Sequence, residues 1–276
     1  MKSKNKKIPG LFWGMSFLTI SCSFVVFSCK ETKNNNSKKH YIEATKDTKV
    51  PYLDNNWVCT WADEFDSNIF NENKWEQQIR KNNYNNEAQY YTNKNISISN
   101  SVLSILAKKE NYDGKQYTSG KLITKNKKRF KYGRFQIKAR NPKGRGTWPA
   151  LWMMPAENKY GKWPKSGEID IMEYVGYENS KIFQTIHTEK YNHKNKTMIG
   201  SNYKINSYDD FVIYDFIWYP DKLEWYTNNK KIFETKYLAN KTKDVEQEYF
   251  KVFPFDKEFY LIINLAIGGD WGGKKE

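Results

Sequence analysis

Glu168, Asp170 and Glu173 fall within six positions of one another in the run Ser166-Gly167-Glu168-Ile169-Asp170-Ile171-Met172-Glu173-Tyr174. Charged residues on a strand normally face water singly. Three carboxyl groups set among β-branched and apolar neighbours must share a small volume, and their mutual repulsion raises at least one pKa. A reaction that needs one ionised and one protonated carboxyl group asks for that arrangement. Glycoside hydrolysis is the leading reaction of this kind. Ile169, Ile171, Met172 and Val175 leave little of the segment for water, which argues against a solvated acidic edge.

The spacing says how a strand must hold these groups. Side chains alternate along a strand, so Glu168 and Asp170 share a face and Glu173 is one residue out of phase. Glu173 joins them only if an extra residue is absorbed between Asp170 and Glu173, which is a β-bulge. A retaining glycosidase holds its two carboxyl groups roughly 5–5.5 Å apart, so that one attacks the sugar while the other protonates the leaving oxygen.

With its bulged Glu-x-Asp-x-x-Glu pattern, the run resembles the active-site signature of glycoside hydrolase family 16. The resemblance is colinear along the chain. It takes in Trp57 to Phe65 as an opening strand and Asn85-Asn86-Glu87-Ala88-Gln89-Tyr90-Tyr91-Thr92 as a cleft loop. Tyr132-Gly133-Arg134 through Gly146-Thr147-Trp148-Pro149-Ala150-Leu151-Trp152-Met153 is similar to the strand pair before the catalytic strand. His187 to His193 and Phe255 to Gly269 are similar to later segments. Residues from about 57 to 276 are covered. Trp163-Pro164 and the His187-Thr188-Glu189 run look most like the laminarinase branch, whose members cut β-1,3-glucan. Relatives acting on mixed-linkage glucan, agar, porphyran or carrageenan share the catalytic strand and stay open as alternatives, as does a non-catalytic carbohydrate-binding protein. The resemblance implies an all-β jelly-roll sandwich of the lectin and glucanase type with an open cleft. It makes Glu168 the nucleophile, Glu173 the general acid/base and Asp170 a helper.

Aromatic residues make up 17% of the chain, with ten Trp and twenty Tyr. The apolar faces of sugars stack on such rings. Trp148, Trp152 and Trp163 flank the acidic run and are candidates for a stacking platform. Trp148 and Trp152 share a strand face, and Trp163 stands in a loop at the cleft rim. His187 is a candidate to line the site, with Asn86 and Arg134 as substrate partners; a turn or a salt bridge would explain the last two nearly as well. No residue set has zinc spacing and no glycine loop reads as phosphate-binding. No cofactor is expected. Relatives often carry a convex-face calcium, but here only the half of that site near Glu64 is recognisable.

Lys2, Lys4, Lys6 and Lys7 precede an apolar stretch from Leu11 to Phe27 that ends at Cys29. Residues 1–28 read as a lipoprotein-type signal, with Cys29 as the lipidated residue. Residues 29–50 read as a flexible tether and 51–276 as the catalytic domain. The expected address is a bacterial cell envelope, facing the periplasm or the outside. Beyond the signal and Cys29 only Cys59 remains, so no intramolecular disulfide is expected and Cys59 reads as an inert strand residue.

The formal charge is +15, and leaving out residues 1–28 removes four lysines and no acid, leaving +11. These lysines are scattered among asparagines, and no nucleic-acid module is recognisable, so nucleic acid is not an expected partner. A polysaccharide is, with the protein acting as a monomer.

Alternating runs at Phe135–Ala139, Leu103–Leu106 and Leu223–Tyr226 predict strands, and Asn228-Asn229 predicts a tight hairpin turn. The late Gly268-Gly269-Asp270-Trp271-Gly272-Gly273 segment is followed by three residues, where family members usually add a loop and a final strand. A truncated sandwich with an uncovered strand edge is the expectation.

Overall fold

The computed structural model describes residues 16–21, 24–27, 57, 59–178, 180–206, 210–237 and 249–273. Cys22, Cys29 and the tether lie outside the described residues. In chain order the strands are β1 Ser16–Ser21, β2 Phe24–Phe27, β3 Trp61–Asp63, β4 Glu76–Gln77, β5 Gln89–Tyr91 and β6 Ile96–Ser99. They continue with β7 Val102–Tyr112, β8 Lys115–Ser119, β9 Lys121–Ile123, β10 Gly133–Arg140, β11 Thr147–Pro155 and β12 Glu168–Tyr174. The series ends with β13 Lys181–His187, β14 Ile199–Lys204, β15 Val212–Trp218, β16 Lys222–Thr227, β17 Lys230–Lys236 and β18 Phe259–Ile267. Two four-residue helices, Tyr249–Val252 and Gly269–Gly272, flank β18. Among the described residues no helix is long and apolar enough to cross a membrane.

The strands form two sheets. One runs β17-β16-β15-β10-β1-β7-β8-β5, with β2, β3 and β6 attached beside it; the other runs β14-β13-β12-β11-β18-β9-β4. Pairing is antiparallel except between β5 and β8. The two sheets enclose one large apolar cluster that includes Leu103, Phe135, Ile137, Ile169, Met172, Phe216, Trp225 and Leu261. Each such side chain withdrawn from water contributes roughly 1.5–3 kcal/mol. The three alternating runs fall in β10, β7 and β16. The two-residue turn between β16 and β17 has Asn228 at φ 47° and Asn229 at φ 66°, the positive-φ pair a tight hairpin requires.

Two expectations are corrected. Trp57 to Phe65 forms a strand only over Trp61–Asp63, and Cys59 is half-buried just ahead of it rather than on a strand. Its thiol donates to the Trp61 carbonyl at 3.7 Å, and burial raises its pKa. Between β7 and β10 lies β1, pairing with β7 from Ser16↔Ala107 to Ser21↔Val102 and with β10 at Thr19↔Arg140 and Ile20↔Ala139.

Two glycines bracket the acidic strand. Gly167 enters β12 at φ 90°, where a Cβ would stand 2.9 Å from Phe255. Gly176 follows it, and a Cβ there would lie 1.7 Å from the Gly144 carbonyl oxygen. The turns at both ends of β12 are thereby pressed against neighbouring chain, which fixes where the strand starts and stops.

Candidate active site

β12 is an interior strand, paired with β11 and β13. Glu168 opposes His187, Asp170 opposes Thr185, and Glu173 opposes Phe183. Three residues on β12 therefore span two on β13, which is the bulge the acidic spacing demands. It returns Glu173 to the face of Glu168 and Asp170. Ile169, Ile171, Met172 and Tyr174 meanwhile all enter the core between the sheets. The three carboxyl groups line a pocket on the outward face of the seven-stranded sheet, floored by Ala150 and Ala266 and walled by Trp148, Trp152 and Asn264. Further walls come from Tyr91, from Lys121 at the start of β9, and from the loop carrying Arg80, Tyr84 and Glu87.

Each outer carboxyl group accepts a hydrogen bond from an indole. Trp163 Nε1 donates to Glu168, and Trp148 Nε1 donates to Glu173 at 3.0 Å. His187 Nε2 lies 3.4 Å from Asp170 Oδ2. Burial and the charge of Asp170 push Glu168 up to about 8, against the pull of His187 and the Trp163 hydrogen bond. Burial pushes Asp170 up to about 7, opposed by its hydrogen bond with Glu168. Glu173 is raised well above the usual carboxylate range, first by burial and then by Asp170. The cluster titrates as a unit, and its buried, mutually repelling carboxyl groups resist losing all their protons. An acid beside a carboxylate that can be ionised is what displacement at an acetal carbon requires.

The other candidates part company. Trp152 lines the pocket, half-buried, with Nε1 donating to Asn264 Oδ1 at 2.7 Å. Trp148 is only 9% exposed and packs edge-on against Trp271, so it serves Glu173 rather than presenting a free ring face. Trp163 packs on His193, with ring centroids 5.1 Å apart, and holds Lys194 Nζ 4.9 Å from its ring. Its indole edge faces the carboxyl group. His187 sits beside Asp170. Asn86 belongs to the neighbouring surface, donating to Asp270 Oδ1 at 2.7 Å.

Arg134 is a correction. It lies on β10 in the other sheet, where its Nε and a second guanidinium nitrogen donate to the two oxygens of buried Asp215. Strand pairing across 81 residues consumes its charge. The pocket-lining residues not singled out from the chain are Lys121, Arg80, Tyr84 and Asn264, while Glu87 belongs to the expected cleft loop. Asn264 carried a signal, being the one polar residue in the apolar run Leu261-Ile262-Ile263-Asn264-Leu265-Ala266-Ile267. Among the described residues, Glu168, Asp170 and His187 are the group of titratable side chains close enough to grip a metal ion.

A sandwich of two sheets that opens a polar, aromatic-walled cleft over a bulged acidic strand defines a β-sandwich glycoside hydrolase. The profile described as Glycosyl hydrolases family 16 matches residues 83–276. The chain is 39% identical over 227 residues to the beta-glucanase of Rhodothermus marinus, covering 79% of this chain and 78% of that protein. It is 35% identical over 229 residues to the glucan endo-1,3-beta-glucosidase of Cryptopygus antarcticus, covering 79% and 83%. The X-ray structure of the laminarinase from Rhodothermus marinus superposes with a TM-score of 0.71 at 38% identity, covering 77% of this chain and 87% of that one. The chain belongs to glycoside hydrolase family 16.

Proposed function

We propose that this glycoside hydrolase is a retaining endo-β-1,3-glucanase acting by double displacement on laminarin-type glucan. The observation that carries the mechanism is the bulged strand that turns Glu168, Asp170 and Glu173 into one cleft; the substrate follows from the named activities of the relatives. Glu168 attacks the anomeric carbon and forms a glycosyl ester as the bond to the leaving oxygen breaks. Glu173 gives that oxygen its proton. In the second half, Glu173 takes a proton from water, whose oxygen attacks the same carbon and releases Glu168. Asp170 shares a hydrogen bond with Glu168 and supports its changes of charge. A cleft open along the sheet suits cutting in mid-chain.

We further read the protein as exported and held at the bacterial envelope through lipid on Cys29. The lysines of residues 2–7, the apolar stretch after them and the Asn- and Lys-rich tether support that reading.

The test is release of oligosaccharides from laminarin and from agarose, with Glu168→Gln as control. Products from laminarin that depend on Glu168 are expected. Products from agarose alone would move the substrate to a galactan, and wild-type activity in Glu168→Gln would remove the proposed nucleophile.

A further inference from the structure

Most polar groups around the pocket are spent on one another. Trp152 Nε1 donates to Asn264 Oδ1, Asn264 Nδ2 donates to the Tyr91 hydroxyl at 3.1 Å, and that hydroxyl and Gln89 Nε2 donate to Glu87 Oε2 at 3.2 and 2.7 Å. Lys121 stands in the middle of this ring and does not join it. The residue is 8% exposed and lines the pocket beside Glu168. Among the described residues, its ammonium touches only two ring faces, lying 4.9 Å from the centroid of Trp152 and 5.8 Å from that of Tyr91. The two ring faces attract the charge but offer no lone pair to its three N–H groups, which open on the pocket. The acceptors must come from what fills the cleft.

Resting on the reading of the cleft as a glucanase site, we propose that Lys121 is a substrate-binding residue, its ammonium donating to hydroxyls of the sugar seated beside Trp152 and Glu168. Trp152 forms the wall against which that sugar packs, and Lys121, held over the same ring, supplies the donor. The charged groups facing the ammonium are Glu87, Arg80 and Glu168. Glu87 stands at the same wall as the lysine, so a sugar hydroxyl there meets a donor beside a carboxyl group. Burial lowers the Lys121 pKa to about 8, as expected of a cation waiting for partners.

The test measures binding apart from turnover. Laminaripentaose is titrated calorimetrically into Glu168→Gln and into the double variants Glu168→Gln/Lys121→Met and Glu168→Gln/Lys121→Arg. The Met variant is expected to bind about ten-fold or more weakly, the scale of a lost hydrogen bond to a charged group, and Arg to restore part of the affinity. Melting temperature is read on all three, and a fall shared by Met and Arg together with lost binding would mark a structural role and overturn the proposal. Affinity unchanged by Lys121→Met would also overturn it. If Glu168→Gln itself binds no laminaripentaose, and wild type releases nothing from laminarin, the glucanase reading fails first, separately from the role of Lys121.

Discussion

The carboxyl cluster is held in a state that folding alone would not choose. Glu168 has its pKa raised in the folded chain, so the folded form binds a proton that the unfolded form gives up near the ordinary value of about 4.5. Its contribution to stability is complete below that value and is lost as pH rises through about 8. Glu168→Gln cannot ionise. It should therefore melt above wild type at pH 8, with the gap closing toward pH 4; thermal melts at both pH values check this. The same shift sets the acidic limb of kcat/KM, because the proposed nucleophile must be ionised to attack. Trp163→Phe removes the donor that favours the Glu168 carboxylate. The acidic limb should move upward by about one pH unit or more, and an unmoved pH–rate profile would show that the indole does not tune this group.

Two local devices fix the elements around that cluster. Gly176 leaves β12 where no Cβ fits against Gly144, so Gly176→Ala should shift the strand end and lower both melting temperature and kcat; a wild-type melt would contradict that packing. The Arg134–Asp215 pair ties β10 to β15 in the opposite sheet. Leaving a buried ion without its partner costs about 3–5 kcal/mol. Asp215→Asn should accordingly reduce stability in denaturant melts and leave KM for laminarin unchanged, whereas a raised KM would return Arg134 to the substrate. The bulge was legible in the chain because period-two alternation leaves Glu173 on the wrong face unless a residue is absorbed. The partner of Arg134 was not, since Asp215 comes beside it only through pairing of strands far apart in sequence. Trp148 and Trp163 are legible as neighbours of the acidic run, but whether an indole offers its face or its N–H depends on register and on what covers the ring. Lys121 was illegible for a related reason. One lysine among many stands out only when its burial is known.

At the scale of the whole chain, one stretch has two uses. Ser16–Ser21 fills the place between β7 and β10, and Phe24–Phe27 pairs with β10 and β3. The same stretch lies within the proposed signal. Residues 16–27 cannot stay in the sheet and also be removed ahead of Cys29. Protein beginning at Cys29 should melt below the full chain, by about 2–4 °C for each kcal/mol of pairing lost in a domain of this size. Equal melting temperatures for the two would mean that β1 and β2 contribute no net stability.

The two indole hydrogen bonds also give the active site its own optical signal. Trp148 and Trp163 are chromophores whose emission responds to the group they hold, and each holds a different member of the proposed catalytic pair. Loss of a proton from one carboxyl group, or formation of an ester on it, alters the field most along the indole bonded to it. With each tryptophan replaced in turn by phenylalanine, the difference in emission during a single turnover would distinguish glycosylation from deglycosylation without any added label.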